Sequence, residues 1–336
     1  MTDLIPKHAE ILSKAVELVQ AFYLDHPEIK ISHGWKHVSA VWEHTQQALI
    51  SWHNNNKNKN NNKSDNNTNN DVNDNDNDII SGRQRSKSPS EISLEVQLAS
   101  LLHDLDDRKY FPKVDSGCAL MLPKKYSNAS AILEQLRIKT KRQENDDGLL
   151  KNTDASTTSK DVVSGHLILQ MISWVSCSEN GNKVPILVRD TGAYHLLIPR
   201  WADRLEAVGA RGVVRCYQYN REQQEQQQKL GLASAPLFSD QSPRPKSEQE
   251  LWSLLCEESN RLQEYMDRGG TSTDMISHYY DKLLPVARPP KSIVRNEYLE
   301  TQADLGAKNL VEVCVRFGNS GFVDEEYIHR LMNAVA

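Results

Sequence analysis

An apolar helical pattern that runs directly into a cluster of charged residues constrains this chain more than any other feature. Apolar side chains recur at helical spacing over residues 92–102 and predict a buried helix. His103, Asp104 and Asp107 follow at once. Residues three and four apart share one helix face, so we expect these three side chains to point into one cavity. One imidazole and two carboxylates make part of a metal site.

Two other segments supply partners for this partial site. Upstream, His33 and His37 lie about one helical turn apart at the start of a second apolar-periodic segment. Downstream, Asp203, Arg204 and Glu206 lie inside another helical pattern. The order of His, His-Asp and Asp predicts one site assembled from three helices.

Three fragments that contain these residues resemble the HD-domain superfamily of metal-dependent phosphohydrolases. They read HGWKHV, LLHDLDDRKYF and ADRLEAVGARGVVRCY. Their local contexts are similar to a subgroup of small HD proteins with nucleotide phosphohydrolase and pyrophosphohydrolase members. The resemblance covers roughly residues 25–220, and the tail from about residue 250 matches more loosely.

The resemblance implies that His37, His103, Asp104 and Asp203 bind a divalent metal ion. Two imidazoles and two carboxylates suit Mn, Co, Ni, Fe or Mg, with coordination positions left for water. A metal-bound water supplies hydroxide near neutral pH, and the metal polarises a phosphoryl oxygen. The alternative is that the histidines are solvated helix-terminal residues and that Asp203 forms an ordinary salt bridge.

The other candidate residues concern protons and phosphate. The resemblance implies that Asp107 acts as the general acid or base, although an ordinary ion pair is the alternative. Lys109 and Arg204 are predicted to bind phosphate, because Arg offers a bidentate fork and Lys a point charge. The alternative for both is a plain surface charge. His33 is expected to contact a phosphate or to orient a ligand, and an exposed capping role is its alternative.

One position departs from the family pattern. Close relatives often carry an acid where this chain has Trp201. The additional histidines that create binuclear HD sites have no evident counterpart here. We therefore expect one divalent metal ion per chain.

Helical patterns fill most of the remaining sequence and strand patterns are nearly absent. The prediction is an all-α fold, a compact HD-domain helical bundle with long disordered insertions. The HD domain is expected over 1–220, with polar low-complexity inserts at about 54–90 and 138–160 that cannot bury enough apolar surface to order. A linker rich in Gln, Ser and Pro is expected over 221–250, and C-terminal helices over 251–336 should pack on the bundle.

Composition narrows the partners and the location. The formal net charge of -5 argues against recognition of nucleic acid by bulk charge. Five scattered cysteines favour reduced thiols. Because no apolar run approaches the length of a membrane span, no membrane contact and a cytoplasmic or nuclear location are expected.

The loop at 111–125 is long enough to be a lid, and homo-oligomer formation stays open.

The expected function is hydrolysis of a phosphoester or pyrophosphate bond in a small phosphorylated molecule, most readily a nucleotide. The alternative from a different class is a non-catalytic nucleotide-binding or scaffolding protein that retains the pocket and recruits partners through its Asn- and Gln-rich inserts. Oxygenase chemistry on a di-iron centre would need more ligand histidines than the sequence offers.

Overall fold

The computed structural model describes residues 4–29, 33–64, 89–108, 110–111, 122–140, 163–231, 236–257 and 261–335. Throughout these ranges the regular structure is helical and contains no β-strand. The predicted all-α class is confirmed. None of the helices in these ranges combines the length and the apolar character that a membrane-spanning helix needs.

The helices of the N-terminal half are α1 (Leu4–Asp25), α2 (Trp35–Ser64), α3 (Pro89–Leu102), α4 (Leu122–Lys125), α5 (Ser127–Gln135) and α6 (Gly165–Val175). Those that follow are α7 (Cys177–Asn180), α8 (Ile186–Thr191), α9 (Ile198–Ala207), α10 (Gly209–Lys229), α11 (Glu248–Glu257), α12 (Arg261–Asp267), α13 (Met275–His278), α14 (Leu284–Ala287), α15 (Lys291–Val294), α16 (Glu297–Ser320) and α17 (Glu325–Val335). A 3₁₀ segment at Tyr194–Leu197 leads into α9, and a π-helical segment at Tyr279–Leu283 joins α13 to α14.

A first hydrophobic core lies between α1, α2, α3, α5, α6 and α9. α2 is central because it packs against both α3 and α9, while α3 also packs against α1 and α6. The fully buried side chains of this core include Val38 and Val41 of α2, Leu101 and Leu102 of α3, and Ala202 of α9. α2 carries His37, α9 carries Asp203, and the turn that follows α3 carries His103 and Asp104. This core therefore sets the geometry of the candidate site.

A second core lies between α10, α13, α14, α16 and α17. It is joined to the first because α16 packs against α2 and α9 as well as against α10. At that junction Asn296 caps α16, and its side-chain nitrogen donates a hydrogen bond to the carbonyl of Ala48, at 2.8 Å. The C-terminal helices thus extend the bundle.

Several predicted boundaries are wrong. α2 continues through the Asn-rich residues to Ser64, because each residue added to a formed helix gains a hydrogen bond even where its propensity is modest. The second insert begins later than predicted, since Ile138 and Thr140 are buried. α10 likewise extends through the Gln-rich stretch to Lys229. The rest of both inserts, and most of the predicted lid, fall outside the described residues.

Candidate metal centre

The His-Asp doublet lies in a turn at the end of α3. The helix ends at Leu102, and the chain continues with hydrogen bonds from the amide of Leu105 to the carbonyl of Leu102 and from the amide of Asp107 to the carbonyl of Asp104. The expectation that one continuous helix carries these residues is therefore wrong. The turn still presents His103, Asp104 and Asp107 together, because Leu102 and Leu105 on either side are fully buried and fix its position.

α2 and α9 bring the other donors to this turn. His37 lies in the first turn of α2, directly before the fully buried Val38. Asp203 lies in the middle of α9, directly after the fully buried Ala202. Since α2 and α9 pack against each other and both pack against α3, the buried neighbours hold the two side chains at the turn.

Three side chains, His37, His103 and Asp203, converge with donor atoms at metal-ligand spacing, and Asp104 approaches the two imidazoles from beside them. Nε2 of His37 lies 3.3 Å from Nε2 of His103 and 3.3 Å from Oδ1 of Asp203. Nε2 of His103 lies 3.5 Å from the same Asp203 oxygen, and the two imidazoles lie 3.5 and 3.7 Å from the oxygens of Asp104. Ligands bound about 2.1 Å from one ion lie roughly 3.0 to 3.4 Å apart in octahedral or tetrahedral geometry. His37, His103 and Asp203 therefore form a group of donors that could hold a metal ion.

Hydrogen bonding prepares His103 for ligation. Its Nδ1 lies 2.8 Å from the carbonyl oxygen of Ser100, which can only accept, so Nδ1 carries the proton. Nε2 is then the nitrogen with a lone pair, and it is the one that faces the other donors. The His103 side chain is 1% exposed whereas that of Asp203 is 24% exposed, so solvent reaches the cluster from its carboxylate side.

The charges of the cluster are coupled. Burial favours the neutral form of His103, but the carboxylates of Asp104 and Asp203 outweigh it and raise its pKa to about 9. Burial likewise favours protonated Asp104, but the imidazoles of His103, His33 and His37 hold its pKa at about 2. The pKa of Asp203 is held well below its ordinary value against burial by His103 and His37. A proton and a metal ion thus compete for His103.

A second group of donors adjoins the first. Nδ1 of His33 donates to Oδ2 of Asp104 at 3.0 Å and lies 3.4 Å from Oδ2 of Asp107. Asp104 is common to both groups because its oxygens also face His37 and His103. By contrast, Asp106 turns away and accepts hydrogen bonds from the amides of Asn128 and Ala129 at the start of α5.

The two residues that the sequence predicts to bind phosphate are Lys109 and Arg204. Lys109 lies outside the described residues. Arg204 is 2% exposed and donates to the carbonyl of Gly181 and, at 2.6 Å, to the side chain of Asn182. Its guanidinium also stacks on Trp201 at 4.6 Å. Burial and these acceptors occupy the side chain of Arg204 and argue against the predicted binding of phosphate.

Trp201 packs beside the arginines and is 3% exposed. Its ring contacts the guanidinium groups of Arg200 and Arg204, at 5.7 and 4.6 Å from the ring centre. An indole has no metal-binding atom to offer, so the departure from the family pattern at this position adds no donor to the cluster.

Residues that the sequence did not single out also approach the site. Nε2 of His44, two turns after His37 on α2, lies 3.5 Å from Glu206, and its Nδ1 lies 2.8 Å from the hydroxyl of Tyr298. Glu206 also pairs with Arg211 at 2.6 Å. The hydroxyl of Tyr23 on α1 is buried without a hydrogen-bond partner among the described residues. Helical periodicity assigns Tyr23 to the core, and no pattern in the sequence marks its hydroxyl as distinct.

No family model matches the chain. An uncharacterized protein of Acanthamoeba polyphaga mimivirus is 31% identical to it over 227 residues, which make up 67% of this chain and 76% of the viral protein. At this identity and coverage the two sequences share a common fold and ancestry. The chain therefore belongs to the same family as this mimivirus protein.

Proposed function

We propose that this protein is a metal-dependent phosphohydrolase of the HD-domain type that cleaves a phosphoester or pyrophosphate bond in a small phosphorylated molecule, and that a nucleotide is its substrate. The observation that carries the proposal is that the donor atoms of His37, His103 and Asp203 lie 3.3 to 3.5 Å apart and that Asp104 lies 3.5 and 3.7 Å from the two imidazoles. In addition, a carbonyl holds Nδ1 of His103. A mixed set of two nitrogen and two carboxylate ligands is typical of open catalytic sites.

The charges of the site support a requirement for a cation. Asp104, Asp107 and Asp203 place three carboxylates around the cluster, and an anionic substrate would be repelled by them. A divalent ion held by the four donors would offset this charge, polarise a phosphoryl oxygen and lower the pKa of a bound water.

The protein side chains have separable roles in this proposal. His37, His103, Asp104 and Asp203 hold the cation. Asp107 lies within 3.4 Å of His33 and accepts the proton of the attacking water or returns one to the leaving group. His33 orients Asp107 and Asp104, since its Nδ1–H reaches both carboxylates.

The test begins with the metal content of the purified full-length protein, measured by mass spectrometry beside a His103→Ala/Asp104→Ala double variant. We expect close to one Mn, Fe, Co or Ni per chain in the wild type and none in the variant. A panel of nucleoside mono-, di- and triphosphates is then incubated with Mn, Co, Ni and Mg, and release of phosphate and of pyrophosphate is measured separately. The ratio of the two products reports which bond is cleaved.

The outcomes discriminate between the two functions carried from the sequence. Metal-dependent product release that the double variant lacks supports the hydrolase. Stoichiometric metal with no release from any nucleotide contradicts it and favours a non-catalytic binding protein. Absence of metal in both proteins, even after these ions are added, contradicts the metal centre itself.

A further inference from the structure

We propose that a cavity between α2, the 3₁₀ segment before α9 and the residues that lead into α16 binds a purine nucleoside monophosphate. Its volume is about 310 Å³, at the lower end of the range for small-molecule pockets, so it suits a single mononucleotide. Trp52 in its lining lies fifteen residues after His37 on α2, roughly 22 Å along the helix axis. The cavity is therefore separate from the candidate metal centre and does not depend on the proposed function.

Aromatic rings from two elements line the cavity. The ring of Trp52 packs against that of His195, with ring centres 4.6 Å apart and ring planes inclined by 39°. Tyr194 packs against the guanidinium of Arg295, which lies 3.8 Å from the ring centre. Trp52 and Tyr194 are half-buried, so both rings are fixed by packing and still border the open space. A planar base gains affinity by stacking on such rings, because every base offers a flat face.

Arg295 gives the cavity a positive charge. Among the described residues that line it there is no carboxylate, and burial, followed by the charge of His53, lowers the pKa of His195 to about 4 and leaves that ring neutral. Nε of Arg295 donates to the carbonyl of Ser292 at 2.7 Å, whereas its two terminal nitrogens make no hydrogen bond or ion pair with the described part of the chain. The guanidinium is thus held in place with two donors available, and this fork matches a phosphate group.

Asn55 offers a base both a donor and an acceptor. It also lines the cavity, one turn after Trp52 on the same face of α2, and its side-chain amide makes no hydrogen bond to any described residue. An asparagine amide can pair with the donor and acceptor on the edge of adenine. Asn296, in contrast, is occupied, since it donates to the carbonyl of Ala48 and accepts from the amide of Leu299. Stacking rings, a free amide and a free fork together fit a base that carries a phosphate.

The test measures binding of adenosine monophosphate (AMP), adenosine and ribose 5-phosphate to the full-length protein by calorimetry, with chelator present to prevent metal-dependent hydrolysis. We expect AMP to saturate one site per chain and to bind at least about tenfold more tightly than either fragment, because only AMP contacts both the rings and the guanidinium. The His103→Ala/Asp104→Ala double variant should bind AMP equally well. A loss of affinity in that variant would place AMP at the metal centre and overturn the proposal.

Two substitutions separate the contribution of the rings from that of the charge. Trp52→Leu should weaken binding of AMP and adenosine by about tenfold and leave ribose 5-phosphate unchanged, since only the base stacks. Arg295→Gly should weaken binding of AMP and ribose 5-phosphate by about tenfold and leave adenosine unchanged, since only the phosphate pairs with the guanidinium.

Arg137→Gly is the matched control for Arg295→Gly. Both arginines are exposed and have positive φ, 60° at Arg137 and 52° at Arg295, a conformation that glycine adopts without strain. Neither substitution should therefore prevent folding. Arg137 is not part of the cavity lining, so AMP affinity should be unchanged in its variant.

The remaining outcomes also decide. Absence of saturable AMP binding would overturn the proposal, as would equal losses of affinity in the two Arg→Gly variants. Unchanged AMP affinity in Arg295→Gly or in a folded Trp52→Leu would do the same, because both side chains are required. If Trp52→Leu does not fold, Arg295→Gly and its control decide alone. Hydrolysis by the metal-loaded protein is measured separately, so failure of this inference leaves the proposed function standing, and the reverse also holds.

Discussion

α9 carries an acidic and a basic side chain on adjacent residues, Asp203 and Arg204, and the two differ in what faces them. Asp203 faces two imidazoles and contributes to a cluster in which the donor atoms face one another. Arg204, the next residue, faces a backbone carbonyl and an amide oxygen. Arg200, one turn earlier, likewise donates to the carbonyls of Trp174 and Lys183, at 2.6 and 2.8 Å.

The difference distinguishes a candidate binding site at Asp203 from a structural role for Arg200 and Arg204. No carboxylate lies within ion-pair distance of either arginine among the described residues, and burial, reinforced by Arg204, lowers the pKa of Arg200 to about 9. These arginines bind the carbonyl near the C-terminus of α6 and the loop behind it, where positive charge is favoured. Their donors are directed at fixed protein acceptors. The donors around Asp203 are directed at one another, an arrangement that a bound cation would stabilise.

The largest effect should come from Asp203→Asn. The amide cannot supply the negative charge that the cluster needs, so we expect metal affinity to fall by more than about 100-fold, beyond the 10- to 100-fold typical of outer-sphere partners. Metal content and competitive titration with a chelator measure this. Asp190→Asn is the control, because Asp190 is exposed and pairs with its neighbour Arg189 on the surface. Metal affinity within about threefold of wild type in Asp203→Asn would place the metal elsewhere.

The next effect in size is expected from Asp107→Asn, which is compared with the same substitution at the neighbouring Asp106. Asp107→Asn should lower kcat by about 100- to 10,000-fold, the range for loss of a general acid or base, with metal content unchanged. Asp106→Asn is the matched control, since Asp106 holds the start of α5 and faces away from the donors. It should weaken the fold but leave kcat per folded molecule unchanged. Equal losses of kcat in both variants would show that the turn, and not Asp107, matters.

Arg204→Ala tests the structural role of the Arg204 side chain. It leaves the carbonyl of Gly181 and the side chain of Asn182 without their donor, and we expect the free energy of unfolding to fall by about 3 kcal/mol. Urea unfolding of the metal-free protein measures it. Metal content per folded molecule should match the wild type. An unchanged free energy of unfolding, together with a raised KM for the phosphorylated substrate, would instead restore Arg204 as a phosphate ligand.

The sequence predicted helices with one apolar face closely, because burial of that face decides their extent. The apolar periodicity of residues 6–24 predicts a helix, and α1 spans Leu4–Asp25. The periodicity of residues 162–175 predicts another, and α6 spans Gly165–Val175. The break between α9 and α10 was not expected. It lies at Gly209, whose φ of 73° is easily adopted only by a residue without a side chain. A single glycine within a helical pattern does not by itself indicate that conformation.

Some features of the candidate site could be predicted from the sequence, and others could not. The order of the His and Asp residues was enough to nominate the side chains that the structure brings together. It could not separate Asp203 from Arg204, because the direction of a side chain depends on which neighbouring helix it meets. The contact between His44 and Tyr298 spans 254 residues, and no local pattern predicts such a pairing.

The smallest effect concerns a partly buried imidazole in surroundings opposite to those of His103. His195 stacks on Trp52 with ring centres 4.6 Å apart, and burial, with a further contribution from His53, lowers its pKa from 6.5 to about 4. The folded state keeps this ring neutral, whereas the unfolded chain takes up a proton below about pH 6.5. The contribution of His195 to stability is therefore full above pH 6.5 and is lost as the pH falls toward 4.

His195→Gln isolates this contribution, because glutamine cannot take up a proton. The difference in free energy of unfolding between wild type and variant, measured with chelator at pH 7 and at pH 4.5, should shift by about 2 kcal/mol against the wild type at the lower pH, since each pKa unit is worth about 1.4 kcal/mol and the ring is partly exposed. The lost ring contact with Trp52 affects both pH values equally and cancels in the comparison. A difference that does not change with pH would mean that protonated His195 is stabilised in the fold, and that its surroundings resemble those of His103 more closely than the packing against Trp52 implies.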